Sequence, residues 1–345
     1  MRRVLLVGTH LGLVEEADYY LERGLRQLGV ELSTFDILAT AGVPWSLRRV
    51  VPQWLKRWLS PRRLASVERT NSALRNRSFI RQVERVRPDL VIALRAEHLD
   101  ADSLRAAKAS GAVLINWTAD DPAQFIPDSI IPEYDLWLLY DRTFEEGLMR
   151  RGAKRVGHLP LACDPDLHRP VTLSDAKRQR WESHLCFVGA YTTRREELFA
   201  AVADLGLAIW GPRWEQATAS SVRACVRETR YLRRQEWLQA YCAAELVVSI
   251  QSETQQGLSN RVWEALAAGC CLVAEWTQEL ERWLPDVVAT FKTAAEFRAV
   301  CQQLLVDPEH RRARAAAGRA AVLAAHTYRH RAETLLRCAE ECRRP

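Results

Sequence analysis

The stretch Gly257 to Val273, GLSNRVWEALAAGCCLV, decides how the chain is read. A polar loop opens a helix, the helix carries one carboxylate, and a Gly-Cys-Cys turn feeds an apolar strand. The first N–H groups of a helix have no partner inside it and the macrodipole is positive there, so a buried helix start can hold an anion. Ser259 and Asn260 are residue types favoured at N-caps, and Arg261 adds a full positive charge beside them. The loop is therefore expected to bind a diphosphate. Glu264 lies one turn further in, on or near the face that Asn260 and Arg261 present. A carboxylate there accepts hydrogen bonds from sugar or ribose hydroxyls. Together these groups predict a nucleotide-sugar ligand.

Around this block the chain alternates short β-rich runs with helical spacing. In the first half, strands are expected at Arg3–Gly8, Glu31–Phe35, Leu90–Leu94, Val113–Asn116 and Leu136–Leu139. Helices are expected at Glu15–Leu28, Arg77–Val86 and Ala101–Ser110. After LPLACDPDLHRP at Leu159 to Pro170, read as an interdomain linker from its prolines and acidic turn residues, the rhythm restarts. The second set has strands at Leu185–Val188, Leu207–Trp210, Leu246–Ile250 and Cys271–Val273. Its helices are Glu196–Leu205, Arg233–Ala243, Arg261–Ala268 and Ala294–Leu305. Arg311–Ala325 reads as a pair of exposed packing helices. A βαβ rhythm of this kind implies parallel, doubly wound sheets.

Three blocks carry a family likeness: FVGAYTTRREELF at Phe187 to Phe199, SNRVWEALAAG at Ser259 to Gly269, and AAHTYRHRAETLL at Ala324 to Leu336. From about Leu185 to its end the chain resembles GT-B glycosyltransferases of the glycosyl transferase family 1 type, in particular the group that includes the spore-maturation protein CgeB. NWTADDP at Asn116 to Pro122 and the linker extend the likeness more weakly into the first half. The resemblance implies an α/β protein with the GT-B fold: two Rossmann-like doubly wound parallel-sheet domains facing across a cleft. The implied division is 1–160 as an acceptor-side domain, 161–170 as linker, 171–328 as the nucleotide-sugar-binding domain, and 329–345 as a helix returning to the first domain. Retaining enzymes of this type place a pair of glutamates across the key loop. Here Glu264 matches the second, while Gln256 stands where the first would be. Gln256 can hydrogen-bond a donor sugar but cannot stabilise developing positive charge.

Composition bounds the problem less sharply. The 345 residues are ample for two domains, and 48% hydrophobic with 27% charged residues describes an ordinary globular chain. The formal charge of +6 suits phosphorylated ligands or an anionic surface, yet 43 acidic residues nearly balance 49 basic ones. Nine cysteines without paired metal spacing point to reduced thiols, with neither a disulfide framework nor a zinc site. The opening MRRVLLVGTHLG runs into charged EEADYYLERG, so it reads as a first strand and not a signal peptide. No run approaches the ~18 apolar residues that cross a bilayer. The expected location is cytoplasmic, with any membrane contact peripheral.

Ligands of open α/β sheets bind beyond the carboxyl ends of the strands. In the first half those positions hold Thr9 and His10, Arg95 and His98, and Trp117 to Asp121. Glycosyl transfer with inversion needs one general base near the acceptor hydroxyl. Asp120, Asp121 and His10 are the catalytic candidates, with Thr9, Arg95, His98 and Trp117 on the acceptor side. Asp121 before Pro122 equally suits a helix cap. The glycines Gly8 to Gly12 lack the full dinucleotide fingerprint, which disfavours NAD. In the second half, Arg195 is placed to clamp a pyrophosphate or to pair with a neighbouring glutamate. Trp210 suits stacking on a nucleobase or a place in the core. Gln251 and Gln256 complete the donor set with Ser259, Asn260, Arg261 and Glu264. Asp164 and Asp166 mimic a metal-binding Asp-x-Asp, but inside the linker they read as structural. The resemblance implies no metal or cofactor, because GT-B enzymes generally hold the departing diphosphate with helix ends and basic side chains.

PWSLRRVVPQWLKRWLSPRR at Pro44 to Arg63 sets Trp45, Trp54 and Trp58 among basic residues with no acidic ones. Val51, Leu55, Trp58 and Leu59 recur at helical spacing, as a membrane-surface helix or a crossover helix packed on its own sheet would have them. Residues 44–63 are therefore a candidate peripheral membrane contact. Nucleic acid is not an expected partner, since no reading module is recognisable. The expected function is metal-independent transfer of a sugar from a nucleotide-diphosphate-sugar donor to a glycan, lipid-linked, small-molecule or protein acceptor. The alternatives are a nucleotide-sugar epimerase of the same fold and a non-catalytic binding or surface protein.

Overall fold

The computed structural model describes residues 3–8, 17–37, 61–94, 98–118, 120–251 and 256–344, without the side chains of 61–70 and 234. Two compact units emerge: Met1–Pro160 with Arg331–Pro345, and Leu161–His330. The expectations for Thr9, His10, Arg95 and nearly all of the 44–63 segment lie outside the described residues.

In chain order the first unit has β1 (Arg3–Gly8), α1 (Ala17–Gln27), β2 (Glu31–Asp36), α2 (Pro61–Val86), β3 (Leu90–Ala93) and α3 (Ala101–Ala109). It continues with β4 (Val113–Thr118), α4 (Pro122–Phe125), β5 (Leu136–Leu139), α5 (Glu145–Arg150) and β6 (Val156–His158). The six strands pair in parallel in the order β2-β1-β3-β4-β5-β6. Every residue of β3 to β5 is buried, as the near-continuous apolar runs of a sheet covered on both faces require. Leu5, Val7, Phe79, Val91, Leu114 and Trp137 share one core cluster. Each such side chain withdrawn from water contributes about 1.5–3 kcal/mol.

The second unit has α6 (Asp175–Trp181), β7 (Ser183–Val188), α7 (Thr193–Ala200), β8 (Leu207–Trp210), α8 (Ser220–Arg223), β9 (Val226–Glu228), α9 (Arg234–Ala243) and β10 (Ala244–Ser249). Then come α10 (Asn260–Ala267), β11 (Leu272–Glu275), α11 (Gln278–Trp283), β12 (Ala289–Phe291), α12 (Ala294–Val306), α13 (Pro308–Ala325) and α14 (Tyr328–Arg343). This sheet is also parallel and six-stranded, in the order β12-β11-β10-β7-β8-β9. The strand order reverses between β7 and β10, so the crevice at a topological switch point lies where these two strands end.

Several expectations change in detail. The strands β6, β9 and β12 have three residues each and sit at or beyond the ends of the expected sets. At the sheet edges β6 and β9 bury no side chain fully and β12 buries only Ala289 and Phe291, so no long hydrophobic run announces them. The pair of helices expected over Arg311–Ala325 is one helix, α13, with Pro308 in its first turn and its N-cap Asp307 accepting from the His310 N–H. From Leu161 on, the segment read as a linker belongs to the second unit: Cys163 forms a β-bridge with Thr327, and Tyr328 N donates to Cys163 O at 2.9 Å. Asp164 there accepts the Asp166 N–H at 3.0 Å, which makes the Asp-x-Asp a turn. Residues 331–345 count with the first unit, where Arg331 Nε donates to Pro160 O at 2.7 Å.

Candidate functional site

Four consecutive carbonyls at the carboxyl end of β7 are each taken by a side-chain donor. Arg261 donates from Nε to Val188 O at 2.9 Å, and the Trp214 indole donates to Gly189 O at 2.8 Å. Arg195 Nη1 donates to Ala190 O at 2.8 Å, and Arg213 Nη2 to Tyr191 O at 3.3 Å. Arg195 also donates from Nη2 to Ile250 O at 2.9 Å, just past the end of β10, and so ties together the two strands of the switch point. The guanidiniums of Arg195 and Arg261 both lie over the Phe187 ring, 5.3 and 4.7 Å from its centroid. Such crowding needs glycine backbone. A Cβ on Gly189 would stand 2.6 Å from Arg261 Nη2, and one on Gly211 would stand 2.1 Å from Gly189 O.

The three guanidiniums are held by neutral carbonyl dipoles and form no ion pair among the described residues. The nearby carboxylate of Glu275, at the end of β11, is taken by Arg194. Burial destabilises the charge of Arg195, and its neighbours Arg261 and Arg213 add to the effect, while Glu275 partly offsets it. An arginine nonetheless stays protonated at neutral pH. The strand ends therefore carry concentrated positive charge that a bound anion would relieve.

The start of α10 adds unpaired polar groups. Ser259 is its N-cap in extended conformation but makes no side-chain cap bond, whereas the cap of α7, Thr192, accepts from Arg195 N at 3.2 Å. Ser259 Oγ, Asn260 Oδ1, Arg261 Nη1, Arg195 Nε and Ser249 Oγ are all buried without a hydrogen-bond partner among the described residues. Unsatisfied buried groups cost about 1–3 kcal/mol each, which makes such a cluster a place for a polar ligand. Half-buried Glu264 follows on the same helix; the Tyr241 hydroxyl is raised first by burial, against the pull of Arg261, with Glu264 adding to the rise. Gln251 is buried, and Gln256 is exposed at the loop.

Residues 194–337 match the family model described as glycosyl transferase-like. No curated protein sequence matches the chain significantly. Among solved structures, sucrose-phosphate synthase from Thermosynechococcus elongatus superimposes with a TM-score of 0.62 at 16% identity, over 99% of both chains. HepE from Anabaena, in complex with UDP-glucose, gives 0.58 at 11% identity, covering 99% of this chain and 100% of that one. A putative UDP-N-acetylglucosamine 2-epimerase from Listeria monocytogenes gives 0.50 at 12%, over 94% and 96%. The chain has the GT-B fold.

Within this GT-B chain, the remaining expected residues fall into different roles. Trp210 is corrected to a core residue: it is 2% exposed and packs on Trp181 at 5.8 Å, leaving no face for a base. Trp117 is likewise buried, its indole donating to Leu159 O at 2.8 Å. Asp121 caps α4, its Oδ1 accepting from Ala123 N at 2.9 Å. Asp120 is half-buried, with its N–H donating to Thr118 Oγ1 at 3.3 Å. Both aspartates, after burial and Asp141, raise the Tyr140 hydroxyl. His98 is half-buried; burial and then Arg75 lower its imidazole. Arg195 pairs with neither Glu196 nor Glu197. Glu196 instead accepts from Thr218 N and Ala219 N at 2.6 Å and from the Tyr191 hydroxyl at 2.8 Å, fixing the loop that carries the site. Sequence reasoning passed over Gly189, Glu196, Arg213 and Trp214, because their partners lie on other elements. Only the paired glycines of FVGAY and WGPRW hint at them.

Proposed function

We propose that this GT-B chain is a glycosyltransferase that moves a hexosyl group from a nucleoside-diphosphate sugar to an acceptor hydroxyl without a metal. The observation that carries the reading is the cluster of Arg195, Arg261 and Arg213, none of them in an ion pair among the described residues, beside the uncapped start of α10. A doubly charged leaving group matches that field, and the field strengthens as negative charge develops on the departing phosphate. Ser259, Asn260 and the first N–H groups of α10 bind the diphosphate, Glu264 takes sugar or ribose hydroxyls, and Gln251 and Gln256 border the donor. On the first unit, Asp121 is committed to its cap, so the general-base role falls to Asp120, with His98 beside the acceptor. The likeness to the CgeB group and nine cysteines without a disulfide among them fit a cytoplasmic enzyme.

The test is a melting-temperature series with UDP, GDP and dTDP sugars and with CMP sugars as the monophosphate control. A ligand that binds only the folded state raises Tm by mass action. At least one diphosphate donor should stabilise the protein and CMP sugars should not; no shift with any diphosphate overturns the reading. The epimerase in the same fold class makes a second measurement necessary. Conversion of the stabilising donor into an epimer in the absence of any acceptor would replace transferase by epimerase.

A further inference from the structure

A cavity of about 650 Å3 opens at the amino ends of the second sheet, the edge opposite the carboxyl ends that form the candidate site. Arg178, Arg227, Arg311 and Arg312 line it, against only Glu182 and Glu245 as acidic groups. Glu245 is already engaged, by His184 at 2.6 Å and Arg311 at 2.6 Å. Arg178, Arg227 and Arg312 are exposed and form no ion pair among the described residues. Three thiols line the cavity: Cys242, partly exposed near the end of α9, and Cys270 and Cys271, both buried in the turn after α10. Cys270 Sγ donates to Tyr241 O at 3.4 Å, and its influence on Cys242, working against burial, holds the Cys242 thiol down to about 7. Burial pushes the other partly exposed thiols, Cys338 and Cys342, up instead.

We propose that Cys242 is a thiol–disulfide exchange site for small anionic disulfides, peptide disulfides bearing carboxylates, which the cavity's arginines recruit and which Cys270 then resolves. The Cys242 thiolate attacks one sulfur of the disulfide RSSR, the S–S bond breaks, and RS− leaves and takes up the proton that Cys242 lost. Cys270 gives its proton to solvent and attacks Cys242 Sγ, expelling the second RS−, which is protonated in turn. Net, RSSR is reduced to two RSH, and Cys242 and Cys270 are oxidised to one disulfide. The thiol is matched to the task, because an attacking sulfur works best when its pKa is near ambient pH. The bridge would tie the end of α9 to the turn that ends α10, the helix whose start holds Ser259, Asn260 and Arg261.

The experiment exposes the intact protein to glutathione disulfide and locates the products by peptide mass mapping. The native chain should gain the Cys242–Cys270 bridge, and Cys270→Ala should accumulate glutathione on Cys242. In Cys242→Ser neither product should form. The double variant Arg178→Glu with Arg312→Glu, both at exposed positions, should slow the reaction with glutathione disulfide about tenfold or more. The same variant should react no more slowly with cystamine, a cationic disulfide. Modification of Cys338 or Cys342 in preference to Cys242, or an equal rate for the double variant with both probes, overturns the proposal.

Discussion

Arg195 and Ile250 lie 55 positions apart, yet the Nη2 of one donates to the carbonyl of the other at 2.9 Å. The bond joins the helix after β7 to the end of β10. It fixes a guanidinium over the point where the strand order reverses, close to Arg261.

Removing either cation should weaken a diphosphate ligand. Loss of one partner of a buried, hydrogen-bonded charge interaction costs about 2 kcal/mol or more, or ~30-fold in Kd. Arg261→Ala is expected to lower donor affinity by that much in calorimetry, and Arg195→Ala to do so with an added fall in Tm from the lost Ala190 and Ile250 bonds. Unchanged donor affinity in both variants would remove the roles assigned to them.

Gly189→Ala tests the close approach itself. The added methyl would meet Arg261 Nη2 at 2.6 Å and the Phe187 ring at 2.8 Å. Forced overpacking of this kind costs about 1–3 kcal/mol. The variant should melt lower and bind donor less well, because Arg261 must leave Val188 O to make room. Wild-type behaviour in both assays would show that the loop is looser than described.

Glu196 gives the loop a pH dependence. Burial opposes its ionisation, yet hydrogen bonds from Ala219, Tyr191 and Thr218 hold the folded carboxyl below its ordinary range. A depressed carboxyl stabilises the fold fully above its unfolded value of about 4.3 and loses that contribution as pH falls through the lower folded value. Glu196→Gln should therefore melt lower at neutral pH and lose less Tm than wild type on acidification below pH ~4.3. Parallel Tm curves against pH for the two proteins would refute the assignment.

Asp120 and Asp121 should separate cleanly. Asp120→Asn is expected to cut turnover by about 10²–10⁴, the range for a lost general base, with donor affinity kept. Asp121→Ala should instead cost about 0.5–2 kcal/mol of stability through the lost cap, with turnover near wild type. The reverse pattern in steady-state kinetics would exchange the two roles.

Much of the architecture is legible in the residues because buried parallel strands are written as apolar runs, such as LVIA at Leu90–Ala93 and LAIW at Leu207–Trp210. The three-residue edge strands are not, since a sheet edge buries too little to leave a pattern. The division of labour at the site follows the same line. Ser259, Asn260, Arg261 and Glu264 stand together in sequence on one helix start, and local rules for helix ends suffice to single them out as candidates.

By itself, then, the sequence determined two parallel α/β units and the position of the helix start at Ser259 and Asn260, both of which follow from period and local backbone chemistry. Only the tertiary structure decided which side chains support that start. Arg213 and Trp214 reach loop carbonyls more than 20 positions away, Arg195 reaches across two strands, and Trp210 turns into the core. Hydrogen bonds and burial of this kind depend on distance in space, and nothing in the order of residues along a chain sets that distance until the sheet has formed.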